Sequence, residues 1–72
     1  MAKSITVEVE VSPENRDIVL MLAEGLTVEE IATKRNVHKR QLDAQLYRLK
    51  IKHGCINITN LVATFLREGI IK

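Results

Sequence analysis

TVEEIATKRNVHKRQLDAQLYRLKIKH, residues 27–53, holds two helical patterns separated by a three-residue turn. Thr27 and Glu30 have capping-box spacing, in which the hydroxyl and the carboxylate exchange hydrogen bonds across a helix entry. The first pattern runs through Ile31 and Ala32 to Arg35, and Asn36 stops it, because asparagine tolerates φ > 0 better than other residues with a side chain. Val37 follows as an apolar plug. His38 stands at the next N-cap position with Gln41 three residues on, a weaker version of the same box. The second pattern runs from Lys39 to His53 and is closed by Gly54. Its helical period turns Leu42, Leu46 and Leu49 to one side and Arg40, Asp43, Ala44, Tyr47, Arg48 and Ile51 to the other.

A helix-turn-helix packs two steeply crossed helices across a turn of three or four residues. The crossing needs a small residue, which Ala32 supplies, and the turn needs a residue at ease with φ > 0, which is Asn36. Val37 fills the junction and Leu42 points back at the first helix. These requirements, met in order, predict a helix-turn-helix over residues 27–53. A plain three-helix bundle satisfies part of the same pattern, so the outer face has to separate the two.

That face is basic. Lys34, Arg35, Lys39, Arg40, Arg48, Lys50 and Lys52 stand against Asp43 alone, so residues 34–53 carry +6 and the rest of the chain −4, within a formal total of +2. Such a segment in an otherwise acidic chain suits a polyanion, although a solvated helix face would share the composition. A helix that reads duplex DNA needs long donors for phosphates and guanine edges, and small or flat groups close to the bases. Arg40 and Arg48 suit the first task, Ala44 and Tyr47 the second, and Lys34, Lys39, Lys50 and Lys52 would flank the groove.

Working outward, Ser12-Pro13-Glu14 is a helix start: an N-cap, a proline at the first helical position and an acid in the first turn. Ile18, Met21 and Leu22, helped by Val19, form its apolar stripe, and Gly25 ends it. Asn57 caps a last helix over residues 58–68, whose apolar face is expected to hold Ile58, Leu61, Val62, Phe65 and Leu66, with Gly69 and Ile70 as a Schellman ending. Before all of these, Ile5, Val7, Val9 and Val11 alternate with Thr6, Glu8 and Glu10. Period two with β-branched residues predicts an extended arm or strand, yet no other segment reads as a strand to pair with it.

The string SPENRDIVLMLAEGLTVEEIATKRNV (residues 12–37), the basic helix, Gly54 and NLVATFLREGII (residues 60–71) resemble the LuxR/GerE-type DNA-binding domain. The resemblance covers residues 12–71, and its most specific parts are LAEGLTVEEIA (residues 22–32) and the closing helix with Gly69. It implies an all-α, four-helix fold, with helix 39–53 in the major groove and the last helix making a homodimer contact. Residues 1–11 would be the arm and residues 12–72 the helix-turn-helix domain. Base-facing positions correspond to Asp43, Ala44 and Tyr47, and phosphate-facing ones to Lys39, Arg40 and Gln41. The expected dimer residues are Leu61 and Phe65 of the last helix and, by antiparallel pairing of two arms that would satisfy the lone strand, Val7 and Val9; the alternatives for the arm are packing on its own helices or mobility. The chain departs from the family at Asp43, usually basic, at Gln45, usually histidine, and at Arg48, usually asparagine. His38 stands where serine is usual and Arg35 where an apolar residue is usual.

Seventy-two residues make one small domain with a marginal core. Cys55 is the only cysteine, so no intramolecular disulfide forms, which fits a reducing cytoplasm. No apolar run reaches the roughly 18 residues of a membrane span, and the N-terminus lacks the apolar core of a signal peptide. His53 and Cys55 fall short of a four-ligand zinc site, no glycine loop cradles phosphate, and Ser12 and Thr27 read as caps. The expectation is a non-enzyme without cofactor, metal, membrane or small-molecule substrate. It would be a cytoplasmic, dimeric regulator of transcription that binds double-stranded DNA, and the Met1 start fits a stand-alone protein. The alternative is a protein-interaction module that binds RNA polymerase or another regulator through the same helices. Asp43 in the middle of the reading face and the acidic arm keep it open.

Overall fold

A computed structural model of the chain describes residues 11–71, and this part is all-α. Helix α1 spans Pro13–Ala23, α2 Val28–Arg35, α3 Lys39–Lys52 and α4 Ile58–Arg67. The expected arm, with Ile5, Val7 and Val9, lies outside the described residues; Val11, at its end, packs against the core. Among the described residues no helix is long and apolar enough to cross a membrane.

Three helix entries are closed by side chains. Ser12 Oγ accepts from the Asn15 N–H at 3.1 Å, and Asn57 Oδ1 from the Asn60 N–H at 2.7 Å. The Thr27–Glu30 box is reciprocal, with Glu30 N–H donating to Thr27 Oγ1 at 3.1 Å and Thr27 N–H to Glu30 Oε1 at 2.8 Å. The fourth entry differs from expectation: His38 has the extended backbone of an N-cap but makes no capping bond. Histidine lacks the short-tethered oxygen of the good capping residues, so the first amides of α3 stay without that partner.

All four helices end the same way. In each, the N–H five residues on from a carbonyl in the last turn bends back to it: Leu26 to Met21 (3.1 Å), Val37 to Ala32 (3.0 Å), Cys55 to Lys50 (2.8 Å) and Ile70 to Phe65 (2.9 Å). The residue before each donor, Gly25, Asn36, Gly54 or Gly69, has positive φ, and its own N–H closes the inner bond. These are Schellman motifs, and each places its next residue, Leu26, Val37, Cys55 or Ile70, against the core. Asn36, at φ 59° and ψ 46°, is the one non-glycine in this role.

The core is built from every helix: Ile18 and Val19 of α1, Ile31 and Ala32 of α2, Leu42, Leu46 and Leu49 of α3, and Leu61 and Phe65 of α4, with Ile71 beyond. Helix α1 packs on α4 and α2, while α3 packs on α2 and α4. Val19 is fully buried, whereas Met21 and Leu22 are only half-buried, so the α1 stripe is centred one residue from where its spacing put it. Truncating a buried aromatic such as Phe65 to alanine costs about 3–5 kcal/mol, comparable to the whole net stability of a core this small.

Helix α4 corrects two expectations. Leu66 is 48 % exposed, because it lies about 140° around the helix from Leu61, and Thr64 takes the inward place instead. Leu61 and Phe65 are both 0 % exposed within the single chain. They are therefore spent on the chain's own core and have no surface left to offer a second copy.

Candidate nucleic-acid interface

Helix α3 divides cleanly along its length. Leu42, Leu46 and Leu49 are buried, and Arg40, Gln41, Asp43, Ala44, Tyr47, Arg48 and Ile51 are exposed. The α2–α3 turn fixes where that outer face points. Asn36 reverses the chain, Ala32 is buried in the core beside it, and Val37 is half-buried at the junction.

Two contacts between helices hold the unit to α1. Gln45 Nε2 donates to Asn15 Oδ1 at 2.7 Å, joining α3 to α1. An Arg35 guanidinium nitrogen lies 3.6 Å from a Glu14 carboxylate oxygen, joining α2 to α1. Arg35 is thus a structural cation whose charge is partly matched within the fold. Gln45 and Arg35 both stand where the resembled family has other residues, and both are matched by polar partners on α1. Sequence reasoning gave neither contact, since the partners are distant in sequence and no local pattern pairs them.

The expected site residues fall into groups. Lys39, Arg40, Gln41 and Ala44 line one shallow depression at the start of α3, together with His38. Asp43, Ala44, Tyr47 and Lys50 line a second, bordered by Val28 and Ile58 at the first residues of α2 and α4. Arg48, at the edge of the outer face, lines a hollow with Ser12, Glu14, Asn15 and Lys52 instead. Lys34 is exposed on α2 and lines a depression with Glu29 and Glu30, so nearby carboxylates offset its charge. Seven of the nine expected residues, Lys39 to Tyr47 and Lys50, therefore share two adjoining depressions with Ala44 common to both, while Arg48 and Lys34 flank them elsewhere.

Charge within this surface is not uniform. Lys39 Nζ donates to Asp43 Oδ2 at 2.9 Å, one turn along α3. The carboxylate raises the Lys39 pKa above its ordinary value, through that hydrogen bond first and its charge second. Both side chains are about half exposed, so the pair contributes little to stability. Its consequence is electrostatic: among the described residues, Arg40 is the cation at the entry of α3 that forms no ion pair. Sequence reasoning set Lys39 against phosphate and Asp43 against bases and missed this pair, although opposite charges four residues apart on a helix are the local signal that could have found it. Further along, Lys50 Nζ lies 5.9 Å from the Tyr47 ring centroid, within cation–π range.

His53 and Cys55 follow the other end of α3, are partly buried, and Cys55 packs against the core. The His53 ring meets Phe65 edge-on, with centroids 5.0 Å apart and planes at 67°. Its buried Nε2 has no hydrogen-bond partner among protein atoms. Burial pushes the His53 pKa below its ordinary value, assisted by Lys52 and opposed by Glu68. Cys55 Sγ is 3.6 Å from both the His53 carbonyl and Thr64 Oγ1. Among the described residues no three of His, Cys, Asp and Glu gather as a metal site would need. No protein-family model, curated protein or solved structure matches the chain.

Proposed function

We propose that this chain is a sequence-specific, double-stranded DNA-binding regulator of transcription. Helices α2 and α3 would act as a helix-turn-helix of LuxR/GerE type, with α3 in the major groove. The observation that carries the reading is the outer face of α3, where Arg40, Ala44, Tyr47 and Arg48 stand exposed directly behind a leucine seam that anchors the helix. Anchoring fixes the backbone that carries the donors, and a preorganised helix loses less entropy on docking. Lys39, Gln41 and Lys50 would contact phosphates around them, and Lys34 more weakly because of Glu29 and Glu30. Asp43 keeps one carboxylate oxygen beyond its bond to Lys39, free to accept from a cytosine or adenine amino group.

A non-enzymatic, cytoplasmic role goes with this reading. So does a homodimer, since two-fold proteins match half-sites one helical turn apart. With Leu61 and Phe65 enclosed, the contact falls to the outward side of α4, where Leu66 is exposed and Val62 half-buried, together with residues 1–11. Deleting residues 1–11 and measuring mass by light scattering tests the arm; an unchanged oligomeric state removes it from the dimer.

The second reading is a protein-interaction module for RNA polymerase or another regulator. The compensated Lys39–Asp43 pair and exposed Tyr47 and Ile51 favour it. Binding to random duplex over a salt series separates the two. A DNA binder loses affinity linearly in log salt, and a failure to shift any duplex at low salt contradicts the DNA reading.

A further inference from the structure

The outer face of α3 carries an apolar line that its charges do not account for. Ala44, Tyr47 and Ile51 follow one another at helical spacing, and Tyr47 and Ile51 are 60 % and 61 % exposed. Neither contributes to the core. The line is framed by Arg40 before it and by Arg48 and Lys50 beside it, all on the same helix. An apolar strip flanked by these cations, with Asp43 at its border held by Lys39, complements a ligand that is anionic at its edges and apolar at its centre.

Duplex DNA presents such a surface in the major groove, at one base only. Thymine carries a C5-methyl group there, where the other three bases present donors and acceptors alone. Resting on the DNA reading above, we propose that Ala44, Tyr47 and Ile51 form a contact strip for thymine methyl groups. From Ala44 to Ile51 the helix rises about 10 Å, and base pairs stack about 3.4 Å apart, so the strip reaches two or three of them. Ala44 supplies a small methyl where the backbone comes nearest the bases. Tyr47 supplies a flat ring whose one face is steadied by the Lys50 ammonium, leaving its edge and other face for a methyl. Ile51 extends the strip by one turn. The cations carry phosphate affinity, and the strip carries sequence preference.

The test keeps the protein unaltered and changes the DNA. Duplexes bound by the whole chain are selected from a random pool, and the best is remade with deoxyuridine in place of each thymine in turn. This removes one methyl and nothing else. Loss of affinity by about threefold to fivefold is expected at two or three adjacent positions, as for burial of one methyl. Because the contact is apolar, that ratio should be the same at low and high salt. In the exposed-site variants Tyr47→Ser and Ile51→Ser, helical by circular dichroism, the thymine–deoxyuridine difference should collapse at distinct positions. A selected duplex that binds equally well with every thymine replaced overturns the strip while leaving DNA binding standing. A deoxyuridine effect unchanged in both variants overturns the assignment to these residues. Selection of no duplex at all overturns the DNA reading itself, and leaves the strip to a protein partner.

Discussion

The inner and outer faces of α3 share one backbone and differ in almost everything else. Leu42, Leu46 and Leu49 are enclosed in the core, whereas Arg40, Ala44, Tyr47, Arg48 and Ile51 are exposed. On the inner face, three leucines at helical spacing do the work of holding the helix. Nothing about stability requires the outer face to be what it is, since exposed substitutions rarely move stability by more than about 0.5 kcal/mol. The arginines, lysines and single exposed tyrosine of this face are free of a stability role and are what the proposed binding role would use. The difference teaches that stability and the proposed recognition fall on separable residues of one helix, so each is expected to break without the other.

The largest expected effect is on the inner side. Leu46→Ala should cost about 2–5 kcal/mol, enough to unfold much of the population of so small a domain, as urea titration would record. An unaltered midpoint would mean that the α3 seam is not the anchor. Next comes the turn that aims the outer face. Asn36→Ala places an ordinary side chain at φ 59° and should cost about 1–2 kcal/mol, while Asn36→Gly should be close to neutral. Equal losses in both variants would show that the asparagine side chain, and not its backbone conformation, is what matters.

On the outer face the order reverses. Arg48→Ala should leave the melting temperature within error, yet weaken duplex binding and lower the salt-dependence slope by about 0.9. A matching fall in melting temperature would blur the division between the faces. At the entry of α3, His38→Ser supplies the missing cap and should stabilise the fold by about 0.5–1 kcal/mol, read by thermal melting.

The smallest effect concerns pH. His53 has a folded pKa depressed below its unfolded value of 6.5 by burial. The unfolded state therefore binds the proton more readily, and stability rises with pH across that interval. His53 contributes its full stability above 6.5, and the contribution falls as pH drops below 6.5 towards the folded pKa. Melting of the chain and of His53→Phe between pH 7.5 and 5 should diverge in that direction. Parallel curves would show that the ring is solvated in the folded state.

Much of this fold was legible because its signals are local. Ser12, Thr27 with Glu30, and Asn57 cap within three residues, and Gly25, Asn36, Gly54 and Gly69 stop helices by backbone conformation alone. The two sides of α3 followed from its period. What escaped depends on which element lies opposite. Leu66 is apolar but exposed, while Thr64 is polar yet enclosed beside Cys55 and Arg67. Leu61 and Phe65 were assigned to a dimer on a family pattern, although four short helices need both for a single core. Gln45 with Asn15 and Arg35 with Glu14 are pairings between helices that no spacing rule along one chain predicts.

The most direct test of the central claim, that the outer face of α3 binds duplex DNA, is one salt titration. The affinity of the whole chain and of an Arg40→Ala, Arg48→Ala double variant is measured on one selected duplex from about 50 to 200 mM salt. The two proteins are predicted to melt alike, and the variant should bind more weakly with a slope shallower by about 1.8. Identical affinities and slopes for the two proteins, or no binding by either at the lowest salt, would contradict the account.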